Sequence, residues 1–357
     1  MMHRKIRGMW MNHRSLFKHH LLILSILLIT LVITIIVAIS IGPITIPFKQ
    51  TALILFKKIH IPIQATYSEQ AWTVITEVRL PRVLVAALVG GALSICGVAM
   101  QGLFRNPLVE PGFIGVSSGA ALGAVCAIIF GWSAVSPWFL PSAAFVGAIV
   151  SLGVTLLVWK VSRKNSVVIL LLLGIGMNAF FSAIMNVIIA ASKNEQELRS
   201  IVYWLQGGLE ARTWEHVWII VFPIVVGAVV LTIFGRELNV LLLGEEHAKT
   251  SGMNIRLTRN FILLLTALMT GSAVAVSGVI GFVGLVVPHM LRLILGPDHQ
   301  LLLPASIFGG AIFLILADLV SRMLLEPITL QVGVVCAIIG APIFIFLLLH
   351  SNQGVSA

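Results

Sequence analysis

Long apolar stretches, each about as long as a membrane-spanning helix, constrain the fold of this chain more than any other feature. A helix rises 1.5 Å per residue, so crossing the hydrocarbon core of a bilayer takes roughly 20 mostly apolar residues. The stretches that meet this requirement are 21–41, 83–103, 113–131, 138–159, 167–190, 214–234, 261–278, 280–296, 303–320 and 332–349. They predict an all-α integral membrane protein with about ten transmembrane helices.

The composition excludes a soluble protein. The 357 residues are 59% hydrophobic and only 10% charged, whereas a soluble domain carries about 25% charged residues. The formal net charge of +10 is spread over many short loops rather than gathered on one face. Because cytoplasmic loops of membrane proteins are rich in Lys and Arg, we interpret this charge as loop charge and expect no nucleic-acid partner.

The basic residues also orient the chain. The N-terminal segment 1–20 is basic, and the apolar stretch 21–41 that follows it is longer than the ~7–15-residue core of a cleaved signal peptide. We therefore interpret 21–41 as a retained first span. With the N-terminus inside, inner segments hold 14 of the 23 Lys and Arg residues and outer segments hold 9. We predict cytoplasmic segments at 1–20 and 350–357 and a transmembrane domain at 21–349.

Motifs of catalysis and of metal binding are missing from the sequence. It contains no GxxxxGK[ST] phosphate loop and no HExxH, and its Gly-Val-Ser-Ser-Gly stretch begins an apolar helix rather than a nucleophile turn. The three cysteines, Cys96, Cys126 and Cys336, lie in apolar stretches and are interpreted as small buried hydrophobes. We expect no enzyme activity, no metal and no cofactor on this chain.

Polar residues inside the apolar stretches are candidates for function. Asn178, Ser182 and Asn186 are spaced four apart within 167–190, which places them on one face of a helix. That face serves either helix packing or a water-filled path, and the spacing alone favours neither. Asp318 is the one acidic residue well inside a predicted span. Its i,i+4 spacing to Arg322 is compatible with a local ion pair or with a proton relay.

A family resemblance begins at 79–125, which reads RLPRVLVAALVGGALSICGVAMQGLFRNPLVEPGFIGVSSGAALGAV. This segment resembles the signature of the FecCD-type permeases, the membrane subunits of ABC importers for ferric siderophores, haem and cobalamin. The match continues in order through 203–209, 241–255, 277–306, 316–322 and 333–349. It covers the chain from about residue 75 onward.

The resemblance implies an assembly as well as a fold. Such permeases have ten transmembrane helices with both termini inside, and two of them form a homodimer or a paralogous pair. Two cytoplasmic ATPase subunits, which hold ATP and Mg²⁺, lie below the pair, and a periplasmic or lipid-anchored substrate-binding protein docks from outside. The expected location is the bacterial cytoplasmic (inner) membrane, as a multi-pass protein.

The resemblance also assigns roles to the inner loop and the pore. The loop 235–260 resembles the segment that seats in a groove of the ATPase. Its matching positions are Gly244, Glu245, Ala248 and Gly252. The translocation path of the family is lined largely by the fifth and tenth helices, here 167–190 and 332–349. That assignment favours the Asn178, Ser182 and Asn186 face as pore lining.

The outward arginines have a role by resemblance too. Arg79, Arg82 and Arg322 occupy the positions at which the family meets acidic residues of the binding protein. Charge-assisted pairs of this kind orient an encounter more than they add affinity. The alternatives are snorkelling to lipid phosphate for each arginine, and for Arg322 a pair with Asp318.

The function implied by the resemblance is binding-protein-dependent import, most commonly of a ferric siderophore, with haem or cobalamin as alternatives. Transport would proceed by ATP-driven alternating access. A rival from another class is an ion-coupled secondary transporter. That rival would need midplane carboxylates or broken helices in paired repeats, and neither is evident in the sequence.

Overall fold

The described part of the chain is entirely helical apart from turns and short connections. The computed structural model describes residues 13–58, 60–61, 67–162, 167–192, 194–326 and 328–351. Its α-helices are α1 His13–Ser40, α2 Phe48–Lys58, α3 Glu69–Thr73, α4 Leu80–Phe104, α5 Val116–Ile129, α6 Trp132–Val135, α7 Phe139–Val161, α8 Val167–Ala191, α9 Glu195–Leu205, α10 Trp214–Ile233, α11 Gly235–Leu242, α12 Glu245–Thr250, α13 Ile255–Ser277, α14 Val283–Leu295, α15 His299–Met323 and α16 Val332–Ser351. A π-helical turn, Val74–Arg79, joins α3 to α4, and a 3₁₀ turn, Pro111–Ile114, precedes α5.

The predicted membrane fold is confirmed. Seven helical segments are long and apolar enough to cross a membrane: the greater part of α1, the continuous α3–α4 segment, α7, α8, α10, α13 and α15. Three shorter apolar helices, α5, α14 and α16, account for the remaining predicted spans. Residues 1–12 and 352–357, which belong to the predicted cytoplasmic ends, lie outside the described residues.

Helix α4 is the centre of the packing. Every residue from Val89 to Leu103 is buried, and α4 packs against α13, α14 and α15. Glycine permits the closest of these approaches. A Cβ atom on Gly97 would lie 1.9 Å from the carbonyl oxygen of Gly284, and one on Gly90 would lie 2.2 Å from that of Gly310. Any side chain at Gly90 or Gly97 would therefore force α4 away from its neighbours.

Two helices begin earlier than predicted because side chains cap their polar first turns. Helix α13 begins at Ile255 rather than 261, and α15 begins at His299 rather than 303. In both cases a side chain caps the earlier start. Asn254 Oδ1 accepts from Leu257 N–H at 3.1 Å, and Asp298 Oδ1 accepts from Gln300 N–H at 2.9 Å. The predicted starts are late because polar first turns extend these helices beyond their apolar stretches.

Short helices cover the loops between spans. Helix α2 lies in the connection between α1 and α3, with Lys57 and Lys58 in its last turn. Lys57 Nζ lies 4.9 Å from the centre of the Tyr67 ring. Helix α9 was not predicted. Asn194 caps the start of α9 by accepting from Gln196 N–H. The helix is amphipathic, and its charged residues make it too polar to be recognised as a membrane span.

Candidate functional site

A buried charge cluster links the predicted outer ends of α4 and α15. Arg82 Nε and Nη2 lie 2.9 and 2.8 Å from Asp318 Oδ1, and Arg322 Nε lies 3.1 Å from Asp318 Oδ2. The Asp318 side chain is fully buried, while those of Arg82 and Arg322 are 13% and 6% exposed. One carboxylate therefore pairs with two guanidinium groups, and the three side chains keep a net positive charge. Of the alternatives open for Asp318, the structure shows the ion pair with Arg322, and Arg82 is a second partner.

Two arginines also hold the C-terminal end of α1. Arg79 is buried, and its guanidinium donates to the carbonyl oxygens of Ile39 and Ser40 at 2.9 Å and to that of Ile44. Arg322 donates to the carbonyl oxygen of Ala38 at 3.2 Å. The last carbonyls of a helix have no partner within the helix, and cations are favourable there.

These contacts bear on the predicted docking role of Arg79, Arg82 and Arg322. None of the three guanidinium groups faces outward without a protein partner, since α1 carbonyls and Asp318 occupy them. Docking through these residues requires an acidic partner to compete with contacts that are already made. Snorkelling to lipid, the simpler alternative, does not describe Arg79 or Arg322, because both are buried. The docking role stays a prediction.

A polar cavity lies between α5, α8 and the connection before α14. Its volume is about 470 Å³, and its polar lining comes from Glu110, Ser117, Ser118, Asn178, Ser182 and Thr270. Ser118 Oγ donates to Asn178 Oδ1 at 2.6 Å, and Asn178 Nδ2 donates to the Gly112 carbonyl at 3.0 Å. Asn178 therefore has a packing role in addition to lining the cavity.

The predicted α8 face is only partly assembled in one chain. Asn178 and Ser182 line the cavity, whereas Asn186 lies further along α8 and is exposed. Only Leu170, Gly174 and Phe181 of α8 are buried. The other residues of α8 are partly or fully exposed in this chain, and Asn186 lies on the exposed surface.

Glu110 is an acidic residue of this cavity and was not among the candidate residues predicted from the sequence. It lies in the connection between α4 and the 3₁₀ turn, next to Pro111. Burial raises the pKa of the Glu110 carboxyl above its ordinary value, and a hydrogen bond from the Phe282 N–H offsets part of that rise. Phe282 is the N-cap residue of α14, so Glu110 lies at the positive end of a helix dipole. The sequence feature that could have indicated this residue is an acid flanked by apolar residues, in LVEPGF.

The predicted coupling residues form a compact inner unit around α12. Glu245 Oε1 accepts from Arg259 Nη2 at 2.7 Å, and Arg259 lies 5.8 Å from the Trp159 ring centre. Ala248 is fully buried. These contacts fasten α12 to α13 and α7, so a force on α12 reaches two spans.

Both glycines of this unit have backbone angles that favour glycine. Gly244 has φ +111° and Gly252 has φ +80°, values that a residue with a Cβ rarely adopts. A Cβ atom at either position would meet nothing within 4 Å. Backbone conformation, not space, therefore accounts for glycine at the two ends of α12.

Metal-ligating side chains are scattered in the part of the chain that the structure describes. No group of three or more His, Cys, Asp or Glu there could hold a metal ion. Cys96 and Cys336 are buried and unpaired, and Cys126 is partly buried.

Comparison with known proteins decides the family. The FecCD transport family matches residues 29–350. The chain belongs to the FecCD family. Its relatives include the uncharacterized ABC transporter permease YvrB of Bacillus subtilis, 43% identical over 79% of this chain and 80% of that protein. The haemin transport permease HmuU of Yersinia pestis is 37% identical over 93% of this chain and 96% of that protein. The cobalamin import permease BtuC of Halobacterium salinarum is 40% identical over 80% and 76%.

Solved structures agree with this assignment. An inward-facing conformation of a metal-chelate type ABC transporter superposes with a TM-score of 0.81 at 34% identity, covering 92% of this chain and 99% of that one. The FecCD permease is thus the multi-pass membrane subunit of an ABC importer, and the ATPase is a separate subunit. The predicted absence of enzyme activity on this chain agrees with that division, and the ion-coupled secondary transporter is not favoured.

Proposed function

We propose that this FecCD permease carries an intact ferric siderophore across the bacterial cytoplasmic membrane, and that the preferred chelate is of the uncharged or cationic hydroxamate type. The permease acts as a homodimer with two ATPases, which hold ATP and Mg²⁺, and a substrate-binding protein. The metal travels inside its chelator. A transporter described as metal-chelate type is among the structural relatives, which supports this class of cargo.

The proposal rests on the charge of the polar cavity between α5, α8 and the connection before α14, called here the α8 cavity. Among the described residues that line it, Glu110 is the only ionisable one, and the other polar groups are hydroxyls and the Asn178 amide. A cavity with an acid and no cation disfavours anionic cargo, because none of the described lining residues can compensate the charge of a buried anion. Haem carries two propionates and ferric tris-catecholates are anionic, whereas ferric hydroxamates are uncharged or cationic.

Cobalamin is the second candidate. Relatives named for vitamin B12 import include the BtuC proteins of Halobacterium salinarum and Salmonella typhi, at 40% and 41% identity. Cobalamin carries carboxamides at its periphery, and these also suit a lining of hydroxyls and amides. Haem, for which HmuU is named, fits the charge of the cavity less well.

The remaining site assignments complete the proposed mechanism. The α8 face of Asn178, Ser182 and Asn186 lines the translocation path, which a second copy completes across the uncovered surface of α8. On the inner side, the α12 unit with Gly244, Glu245, Ala248 and Gly252 seats in the ATPase, and it transmits closure of the ATPase dimer to α7 and α13. On the outer side, Arg79, Arg82 and Arg322 meet acidic residues of the binding protein in exchange for their present partners.

Uptake by cells tests the substrate. A strain that lacks this gene is compared with a complemented strain for uptake of a labelled ferric hydroxamate, haem and cobalamin. The proposal predicts that complementation restores ferric hydroxamate uptake and that Glu110→Gln increases the relative uptake of an anionic chelate. Restoration of haem uptake alone, or a Glu110→Gln protein with unchanged selectivity, would refute the charge-based choice.

A further inference from the structure

A second cavity opens on the predicted outer side, and it shares no lining residue with the polar cavity beside α8. Its volume is about 380 Å³, within the range of small-molecule sites. It is formed by α9, the connection to α10, the end of α13 and the residue before α16. Its polar lining includes Arg199, Tyr203, Trp204, Glu210, Arg212 and Gln331.

Polar atoms without partners are concentrated in this lining. Trp204 Nε1, Glu210 Oε1, Arg212 Nε and both amide atoms of Gln331 are buried and make no hydrogen bond to any described residue. Trp204 is 8% exposed and Gln331 is 4% exposed. A buried polar group that lacks a hydrogen-bond partner lowers the stability of the fold. Five such atoms around one cavity therefore indicate that a ligand supplies their partners.

The charges around the cavity balance. Arg199 is paired with Glu195 at 2.7 Å, and the charges of Arg212 and Glu210 favour each other. Glu210 Oε2 also accepts from the Tyr203 hydroxyl at 2.5 Å. Burial and the nearby Arg82 lower the pKa of Arg212 to about 10, so Arg212 is still protonated at neutral pH. The cavity is therefore polar but has no uncompensated charge that calls for a charged ligand.

We propose that this cavity binds an uncharged carboxamide group of a small molecule. The unpartnered N–H groups of Trp204, Arg212 and Gln331 donate to the carbonyl oxygen of the ligand. The free oxygens of Glu210 and Gln331 accept from its N–H. A carboxylate satisfies only the donors and places a second anion beside Glu210, whereas an amide satisfies both sets.

The proposal rests on the proposed function only for the source of this group, which is the transported chelate at its entry into the permease. An amide of the binding protein is the other possible source of the same chemistry. Binding of a free amide requires neither transport nor ATP, so the two proposals can fail separately.

Protection of an introduced thiol measures the binding. Ser200 is exposed at the cavity, and Ser200→Cys in the assembled transporter is labelled with a water-soluble thiol reagent. The protein without this substitution reports any reaction of Cys126. Nicotinamide and nicotinate are a matched pair of probes that differ in the amide and the carboxylate. Nicotinamide is expected to slow labelling at roughly millimolar concentration, and nicotinate at least tenfold less effectively.

Two variants locate the binding. Trp204→Phe removes one N–H and keeps an aromatic ring, and it is expected to weaken protection about two- to tenfold, as for the loss of one hydrogen bond. Trp218→Phe, at an exposed tryptophan on α10, is the matched control and leaves protection unchanged. Equal effects of the two variants would overturn the site.

Other outcomes also decide the proposal. Protection by nicotinate as strong as by nicotinamide would overturn it, and so would a Ser200→Cys variant whose introduced thiol does not react in the assembled transporter. Protection by the binding protein but not by nicotinamide would assign the cavity to protein docking and overturn the small-molecule site.

Discussion

Removal of the Asp318 charge tests the buried cluster most severely. Asp318→Asn keeps the size of the side chain but removes the only carboxylate in contact with both Arg82 and Arg322 in the described structure. The two guanidinium groups then face each other in a buried site, and Arg79 adds a third positive charge at the end of α1 that Arg322 also contacts. The substitution is therefore expected to destabilise the packing of α1, α4 and α15.

The magnitude follows from burial and distance. Each pair contributes roughly 4 kcal/mol at an effective dielectric constant of about 20 and a separation of about 4 Å. Repulsion between the arginines and the cost of desolvation reduce the net value. Removing one partner of a buried pair costs about 3–5 kcal/mol. At roughly 2 °C per kcal/mol, the value for larger domains, the melting temperature falls by roughly 6–10 °C.

Thermal unfolding of the detergent-solubilised protein, followed by size-exclusion chromatography after heating, measures this shift. Glu195→Gln is the matched control, because it breaks the Arg199–Glu195 pair, whose side chains are 79% and 80% exposed. Exposed pairs contribute about 1 kcal/mol or less, so this variant shifts the midpoint by under about 2 °C. Asp318→Asn combined with Arg82→Gln is expected to recover part of the loss. Equal shifts for Asp318→Asn and Glu195→Gln would refute the reasoning.

Three further predictions concern the cavity, the path and the inner unit. The raised pKa of Glu110 means that ionising this carboxyl at high pH costs the folded protein stability. Glu110→Gln removes that cost, so it should raise the melting temperature at pH 8 and leave it unchanged at pH 4. An effect of the same size at both pH values would contradict this. Ala248→Leu overpacks a buried site at a cost of about 1–3 kcal/mol and should uncouple ATP hydrolysis from uptake, whereas Lys249→Leu at an exposed position should not. Cysteines introduced at Ser182 and Asn186 should react with water-soluble thiol reagents in at least one transport state. Full protection in every state would show that this face serves helix packing and does not line the path.

Features set by local sequence were predictable. A span needs only length and apolar composition, so all ten apolar helices could be located. The Asp318–Arg322 pair follows from i,i+4 spacing within one helix. The glycines at the two ends of α12 have positive φ angles, which glycine adopts more easily than any other residue.

Features set by packing between distant segments were not predictable. Arg82 and Asp318 are 236 positions apart, and no local pattern indicates that they meet. The family resemblance predicts that Arg79 faces outward, but the π-helical turn and the end of α1 enclose it. Glu110 lies in a loop, and its burial depends on α14, which lies more than 170 positions further along the chain.

Transport of a doubly labelled chelate tests the central claim most directly. The permease is reconstituted in liposomes with its ATPase and binding protein, and a ferric hydroxamate carries one label on the iron and another on the chelator. The account predicts ATP-dependent accumulation of both labels in a 1:1 ratio. Accumulation of iron without the chelator, or no accumulation of ferric hydroxamate while haem is taken up, would contradict it.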